Sequence, residues 1–107
     1  MILLRVTYRL RAHQIKPFEA IFAAEIMPVV RAHGLCFKGI WRTLVGAVGE
    51  YEELWEFASL GEFHEQWTAL LNDPRLQEIF TRTGPLVEGE QFALLEPVKL
   101  TEGEINL

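Results

Sequence analysis

The stretch Tyr51-Glu52-Glu53-Leu54-Trp55-Glu56-Phe57-Ala58-Ser59-Leu60-Gly61-Glu62 changes its hydrophobic period in the middle, and that change decides the fold. Up to Phe57 the residues alternate, with Tyr51, Glu53, Trp55 and Phe57 on one side, the period-2 pattern of a half-buried strand. Ser59 to Glu62 is a capping box, in which a hydroxyl and a carboxylate satisfy reciprocal backbone donors at a helix start. Phe63, Trp67, Leu70 and Leu71 then recur at i, i+4, i+7 and i+8, as one helical face requires. Asp73-Pro74 is a second N-cap and N1 pair, so the helix breaks and restarts with Leu76, Ile79 and Phe80 inward, and Gly84-Pro85 stops it.

Toward the N-terminus, Ile2 to Leu10 alternates as a first strand, and Phe18 to His33 reads as a helix with Pro17 near its start and Gly34 as its C′ residue. Leu35 to Ala47 is the second strand, turned by Val48-Gly49-Glu50 into the third. Phe92 to Leu95 is a short last strand closed by Pro97. The order β-α-β-β-α-(α)-β is the split βαβ plan of an α+β, ferredoxin-like sandwich, an antiparallel four-stranded sheet with helices on one face only. The expected domain is residues 1–98, with 99–107 as a C-terminal tail. Half of the residues on the uncovered face are apolar or aromatic, so a sheet-on-sheet homodimer is the expected remedy.

The 107 residues fit one core and leave no room for a second. Lone Cys36 excludes an internal disulfide framework and a multi-cysteine zinc site. A formal charge of −5 repels phosphate backbones, which argues against a nucleic-acid partner. Arg5, Arg9 and Arg11 break the N-terminal apolar run far short of the ~7–15 residues of a secretory signal or the ~20 of a membrane span. A cytoplasmic protein with no membrane partner is expected.

Several short strings, in order, carry a resemblance. Thr7-Tyr8-Arg9-Leu10 resembles the first-strand pattern of the NIPSNAP family, and Glu25-Ile26-Met27-Pro28-Val29 followed by His33-Gly34 is similar to its first-helix ending. Leu54 to Glu62, Asp73-Pro74 and Leu94-Leu95-Glu96-Pro97 follow at the matching places, so the likeness covers roughly residues 2–98. The resemblance implies a dimeric α+β barrel, in the same superfamily as small cofactor-free monooxygenases and several isomerases. It implies no settled activity, because bacterial members are largely uncharacterised and the animal ones act as mitochondrial scaffold or receptor proteins. The chain departs from the pattern in two places. Glu53 stands where members often carry a strand histidine two residues before the Trp, and His13 replaces a common Gly. No role of that strand histidine carries over.

Glu25 is the candidate catalytic residue. At ~100° per residue it falls inside the apolar arc of Phe18, Ile21, Phe22, Ile26 and Val29. A carboxylate there either has a raised pKa, suited to acid–base work, or is paired by an Arg or turned to the rim by a kink at Pro28. Tyr8, His33 and Trp55 are the candidate ligand-binding residues, bounding with Glu25 an apolar cleft for a small apolar or aromatic molecule. His13, His33 and His64 have no metal-ligand spacing, and no metal or cofactor is expected. Cys36, between Leu35 and Phe37, is expected as a buried filler, and the acidic pair Glu52-Glu53 as a solvated edge. Two functions fit: a small-molecule-binding or oligomeric module, or a cofactor-independent monooxygenase or isomerase in which Glu25 abstracts a proton and Trp55 shapes the pocket of an aromatic or quinone-like substrate.

Overall fold

The computed structural model describes residues 1–100. Its strands are β1 (Ile2–Arg9), β2 (Cys36–Arg42), β3 (Glu50–Phe57) and β4 (Glu88–Leu95), paired antiparallel in the order β2-β3-β1-β4. This is the expected ferredoxin-like α+β sheet. The register sets Leu4 opposite Trp55, Val6 opposite Glu53 and Tyr8 opposite Tyr51, so these side chains share the face that the helices cover. On that face β2 adds Ile40 opposite Glu53, and β4 adds Phe92 opposite Val6.

Two strands differ from the expectation. β2 ends at Arg42 instead of Ala47, and the following loop leaves Leu44, Val45 and Val48 exposed. Apolar residues continue past the point where strand pairing stops, the last bond being the Thr43 N–H donating to the Glu50 carbonyl at 2.9 Å. Gly49 closes the loop at φ +85, with the Leu10 N–H donating to its carbonyl at 2.8 Å. A Cβ on Gly49 would lie 2.0 Å from the Leu10 carbonyl oxygen, so no side chain fits there. β4 starts four residues earlier than its apolar part, because backbone pairing of Gln91 with Thr7 and Glu88 with Arg9 does not depend on side-chain polarity.

The first helical rod runs through α1 (Ile15–Ile21), a π-helical turn (Phe22–Ile26) and α2 (Met27–Ala32), and ends at Gly34 with φ +68. The Met27 N–H donates to the Phe22 carbonyl, one residue wider than an α-helical bond. This wide turn sits where the Pro28 ring would otherwise strike the Ala24 carbonyl, and it is the form the proline's disturbance takes. α3 (Leu60–Leu71) is capped by the Ser59 hydroxyl accepting from the Glu62 N–H at 3.1 Å; the reciprocal half of the box does not form among the described residues. α4 (Pro74–Thr83) is capped by Asp73, which accepts from the Arg75 N–H at 2.8 Å.

The core joins Leu4, Val6 and Phe57 of the sheet to Phe18 and Val30 of the first rod and to Leu70, Leu76 and Ile79 of α3 and α4. Tyr8 stacks on Tyr51 with ring centroids 5.6 Å apart, and Trp55 meets Trp67 edge-on at 5.2 Å. The opposite face of the sheet carries Leu3, Leu54, Ala93 and Leu95 beside the Arg5–Glu52 ion pair (3.6 Å) and a half-exposed Trp41. Cys36 is exposed on that face near Glu56, not a buried filler, because the strand alternation that turns Phe37 inward turns Cys36 outward. No helix among the described residues is long and apolar enough to cross a membrane. Residues 101–107, most of the expected tail, lie outside the described residues.

Candidate functional site

Between sheet and helices lies a cavity of about 410 Å³. β1 contributes Val6 and Tyr8 to its floor, and β3 contributes Glu53 and Trp55. The first rod closes it with Phe18, Phe22 and Ile26, and the second helical layer with Trp67, Leu70, Leu76 and Phe80. Phe92 and Glu90 of β4 stand at one side, Phe92 itself 55% exposed because no helix fully covers this edge strand.

Glu53 is the unusual group. It is only 8% exposed, and period-2 alternation from Tyr51 to Phe57 puts it there. Its Oε2 accepts the Tyr8 hydroxyl and its Oε1 accepts the Trp55 indole N–H at 3.0 Å. Burial pushes the Glu53 carboxyl up to about 7, against the pull of those two hydrogen bonds, and the nearby charge of Glu90 pushes the same way. Burial, then the Glu53 charge, drives the Tyr8 phenol far above its ordinary range. Glu90, exposed at the open side of the cavity, is also raised, by its partial desolvation. Neighbouring Tyr51 donates to Glu19, which also takes Arg42 at 2.9 Å, and burial followed by that carboxylate pushes Tyr51 up to about 12. A carboxyl that changes charge near neutrality inside an aromatic-walled cavity can accept a proton from a bound molecule, donate one to it, or hold a donor group in place.

The four sequence-expected residues divide evenly. Tyr8 and Trp55 line the cavity, whereas Glu25 and His33 do not. Glu25 is not a buried, raised-pKa acid; of its two readings the paired one holds. Its side chain is 40% exposed, and Arg82 grips both oxygens, at 2.9 and 2.6 Å, while also meeting Glu78 at 2.9 Å. The guanidinium holds the Glu25 carboxyl below its ordinary range. The π turn explains the discrepancy, since an extra residue in the turn rotates Glu25 away from the arc that a regular wheel assigns to it. His33 bonds Asp73 at 2.8 Å and so ties the end of α2 to the cap of α4; the Arg75 guanidinium and then His33 hold that carboxyl far below the carboxylate range. The acidic pair is likewise no solvated edge, because Glu52 faces outward to Arg5 and Glu53 inward.

His64, on α3, is exposed. Among the described residues no group of three or more His, Cys, Asp or Glu side chains is placed to hold a metal ion.

Several solved structures share this fold. A protein of Agrobacterium tumefaciens superposes with a TM-score of 0.85 at 22% identity, covering 95% of this chain and 98% of its own. A NIPSNAP domain protein of Burkholderia xenovorans gives 0.84 at 22% identity, with 94% and 98% covered. An antibiotic biosynthesis monooxygenase gives 0.73 at 9% identity, with 92% and 100% covered, a likeness of fold. No curated protein matches the chain. The NIPSNAP family model matches residues 3–102, nearly the whole sequence, and the chain therefore belongs to the NIPSNAP family.

Proposed function

We propose that this NIPSNAP domain is a small-molecule-binding module that holds a small apolar or aromatic ligand in the cavity between sheet and helices. The observation that carries the reading is the pairing of an aromatic-walled space of ordinary ligand size with one buried carboxyl, Glu53, at its floor. Tyr8 and Trp55 then have a double role: they line the space and hold the carboxyl in place. We infer a cytoplasmic homodimer in which a second copy covers the outer face around Leu3, Leu54 and Leu95, apolar residues that a monomer leaves beside water.

Calorimetry with 2-phenylethanol as a neutral aromatic probe tests the pocket, and native mass spectrometry of the purified protein tests the assembly. Saturable binding that is lost in Leu70→Trp, which fills the cavity, supports the reading. Absence of saturable binding at millimolar concentration both of this probe and of its amine and acid counterparts, 2-phenylethylamine and 3-phenylpropionate, overturns it, and a monomer at micromolar concentration overturns the dimer.

The second reading, a cofactor-independent isomerase or monooxygenase, is favoured by a carboxyl buried at the floor of the cavity and held there by Tyr8 and Trp55, where burial pushes Glu53 up to about 7. Glu53 takes the place first expected for Glu25. It removes a proton from an acidic carbon of the substrate and, in an isomerisation, returns it at another atom with no co-reactant; an oxygenation consumes dioxygen as second substrate, one oxygen atom entering the substrate and the other leaving as water with two hydrogens taken from that substrate. Turnover that survives in Glu53→Gln would eliminate this role.

A further inference from the structure

The charged groups lining the cavity are all of one sign. Glu53 and Glu90 face the space, and no Lys, Arg or His does among the described residues. Among the described residues the arginines that pair with a carboxylate do so elsewhere: Arg82 with Glu25 and Glu78, Arg42 with Glu19, Arg75 with Asp73, Arg11 with Glu88 and Arg5 with Glu52, and His33 meets Asp73. Glu53 thus receives only neutral donors, one on each oxygen, although an ionised carboxyl offers about four acceptor sites. A buried carboxylate without a cation is costly in an apolar setting and is relieved by a positive partner. The walls suit such a partner. Trp55 and Trp67 meet edge-on at 5.2 Å, and with Phe80 and Phe92 they line the space with aromatic rings, the side-chain type that attracts an ammonium and packs against a flat body.

We propose that the cavity selects small organic amines with an aromatic or flat apolar body, the protonated nitrogen bonded to Glu53 and the body held among Trp55, Trp67 and Phe92. This rests on the reading of the cavity as the ligand site and adds the chemical class of what it takes. Anionic ligands are excluded by the same two carboxyls.

The expected pH behaviour follows from what faces Glu53. Tyr8 comes from β1 and Glu90 from β4; Ile40 on β2 and the lining residues of the four helices bring no titratable group. Tyr8 stays protonated throughout the neutral range, so Glu53, moderated by Glu90, sets the response. An ammonium requires the ionised form, so its affinity rises as pH passes upward through about 7, whereas a neutral ligand gains nothing from that change.

Three probes of one skeleton test this by calorimetry on the intact protein: 2-phenylethylamine, 2-phenylethanol and 3-phenylpropionate. The amine is expected to bind about tenfold or more tighter than the alcohol slightly above neutral pH, with the acid weakest. Glu53→Gln is expected to bring the amine and alcohol to about equal affinity while the alcohol still binds. Should that variant fail to fold, the wild-type series suffices, with amine affinity rising from about pH 6 to about pH 8 and alcohol affinity flat. Equal binding of amine and alcohol by the wild type, an undiminished amine advantage in Glu53→Gln, or preference for the acid overturns the assignment while the cavity remains a ligand site. Failure of all three probes overturns the assignment and the ligand site together.

Discussion

Replacing Glu53 by Gln isolates the cost of one buried charge. The ordinary carboxyl value is 4.5, and in the folded chain Glu53 is pushed up to about 7, chiefly by burial. The folded state therefore binds the proton more tightly than the unfolded chain, and stability falls as pH rises from about 4.5 through about 7, then levels. At 1.36 kcal/mol per pKa unit the full difference is about 3 kcal/mol, of which about 2–3 kcal/mol is lost between about pH 5 and pH 8. Gln keeps both contacts: its carbonyl oxygen accepts from the Trp55 indole, and its amide N–H donates to the Tyr8 oxygen. The variant should therefore be near or slightly below wild type at pH 5 and clearly more stable at pH 8. In melting temperature the relative shift is on the order of 10 °C for a domain of this size. Urea unfolding followed by tryptophan fluorescence, at one protein concentration so that assembly does not enter the comparison, reads the difference directly. A Glu53→Gln difference that is the same at both pH values would refute the reasoning.

Three further outcomes follow from particular contacts. Gly49→Ala forces a Cβ to within 2.0 Å of the Leu10 carbonyl oxygen at φ +85, so a loss of about 2 kcal/mol or more is expected; thermal melting checks it, and an unchanged melt would contradict the loop geometry. Asp73→Asn keeps an N-cap acceptor but removes a carboxylate held far below its ordinary range by Arg75 and His33. Because a depressed folded pKa gives stability that is lost as pH falls through the ordinary Asp range and below, the variant should show a flatter acid limb than wild type, measured by unfolding below about pH 4. Glu25→Gln weakens an exposed ion pair with Arg82 and should leave probe binding in the cavity and the melting temperature close to wild type; loss of probe binding in calorimetry would place Glu25 in the site after all.

What could be read before folding was known follows a physical line. The strand-to-helix switch around Phe57 and Ser59, the Asp73-Pro74 restart and the Gly34 stop rest on local backbone chemistry, and each appears where the pattern set it. Tyr8 and Trp55 were readable as inward aromatics for the same reason, since alternation along one strand needs no tertiary knowledge. Glu53 obeys the identical alternation, yet as one of two adjacent acids it resembled a solvated edge; the signal was its phase with Tyr51, Trp55 and Phe57. Glu25 and His33 depended on longer-range facts. A π turn ahead of Pro28 changes the angular position of Glu25, and the Arg82 that pairs it lies 57 residues away in sequence. The Asp73 that holds His33 is 40 residues away. The polar half of β4 was invisible because its place is fixed by backbone pairing to β1.

A carbon-13 NMR titration of the Glu53 side-chain carboxyl, assigned by comparison with Glu53→Gln, tests the central claim most directly. A midpoint raised well above the ordinary carboxyl value, to about 7, is the result the buried position of Glu53 predicts. A midpoint at the ordinary value of 4.5 would mean that water reaches the group freely, and the proposed ligand floor would be lost with it.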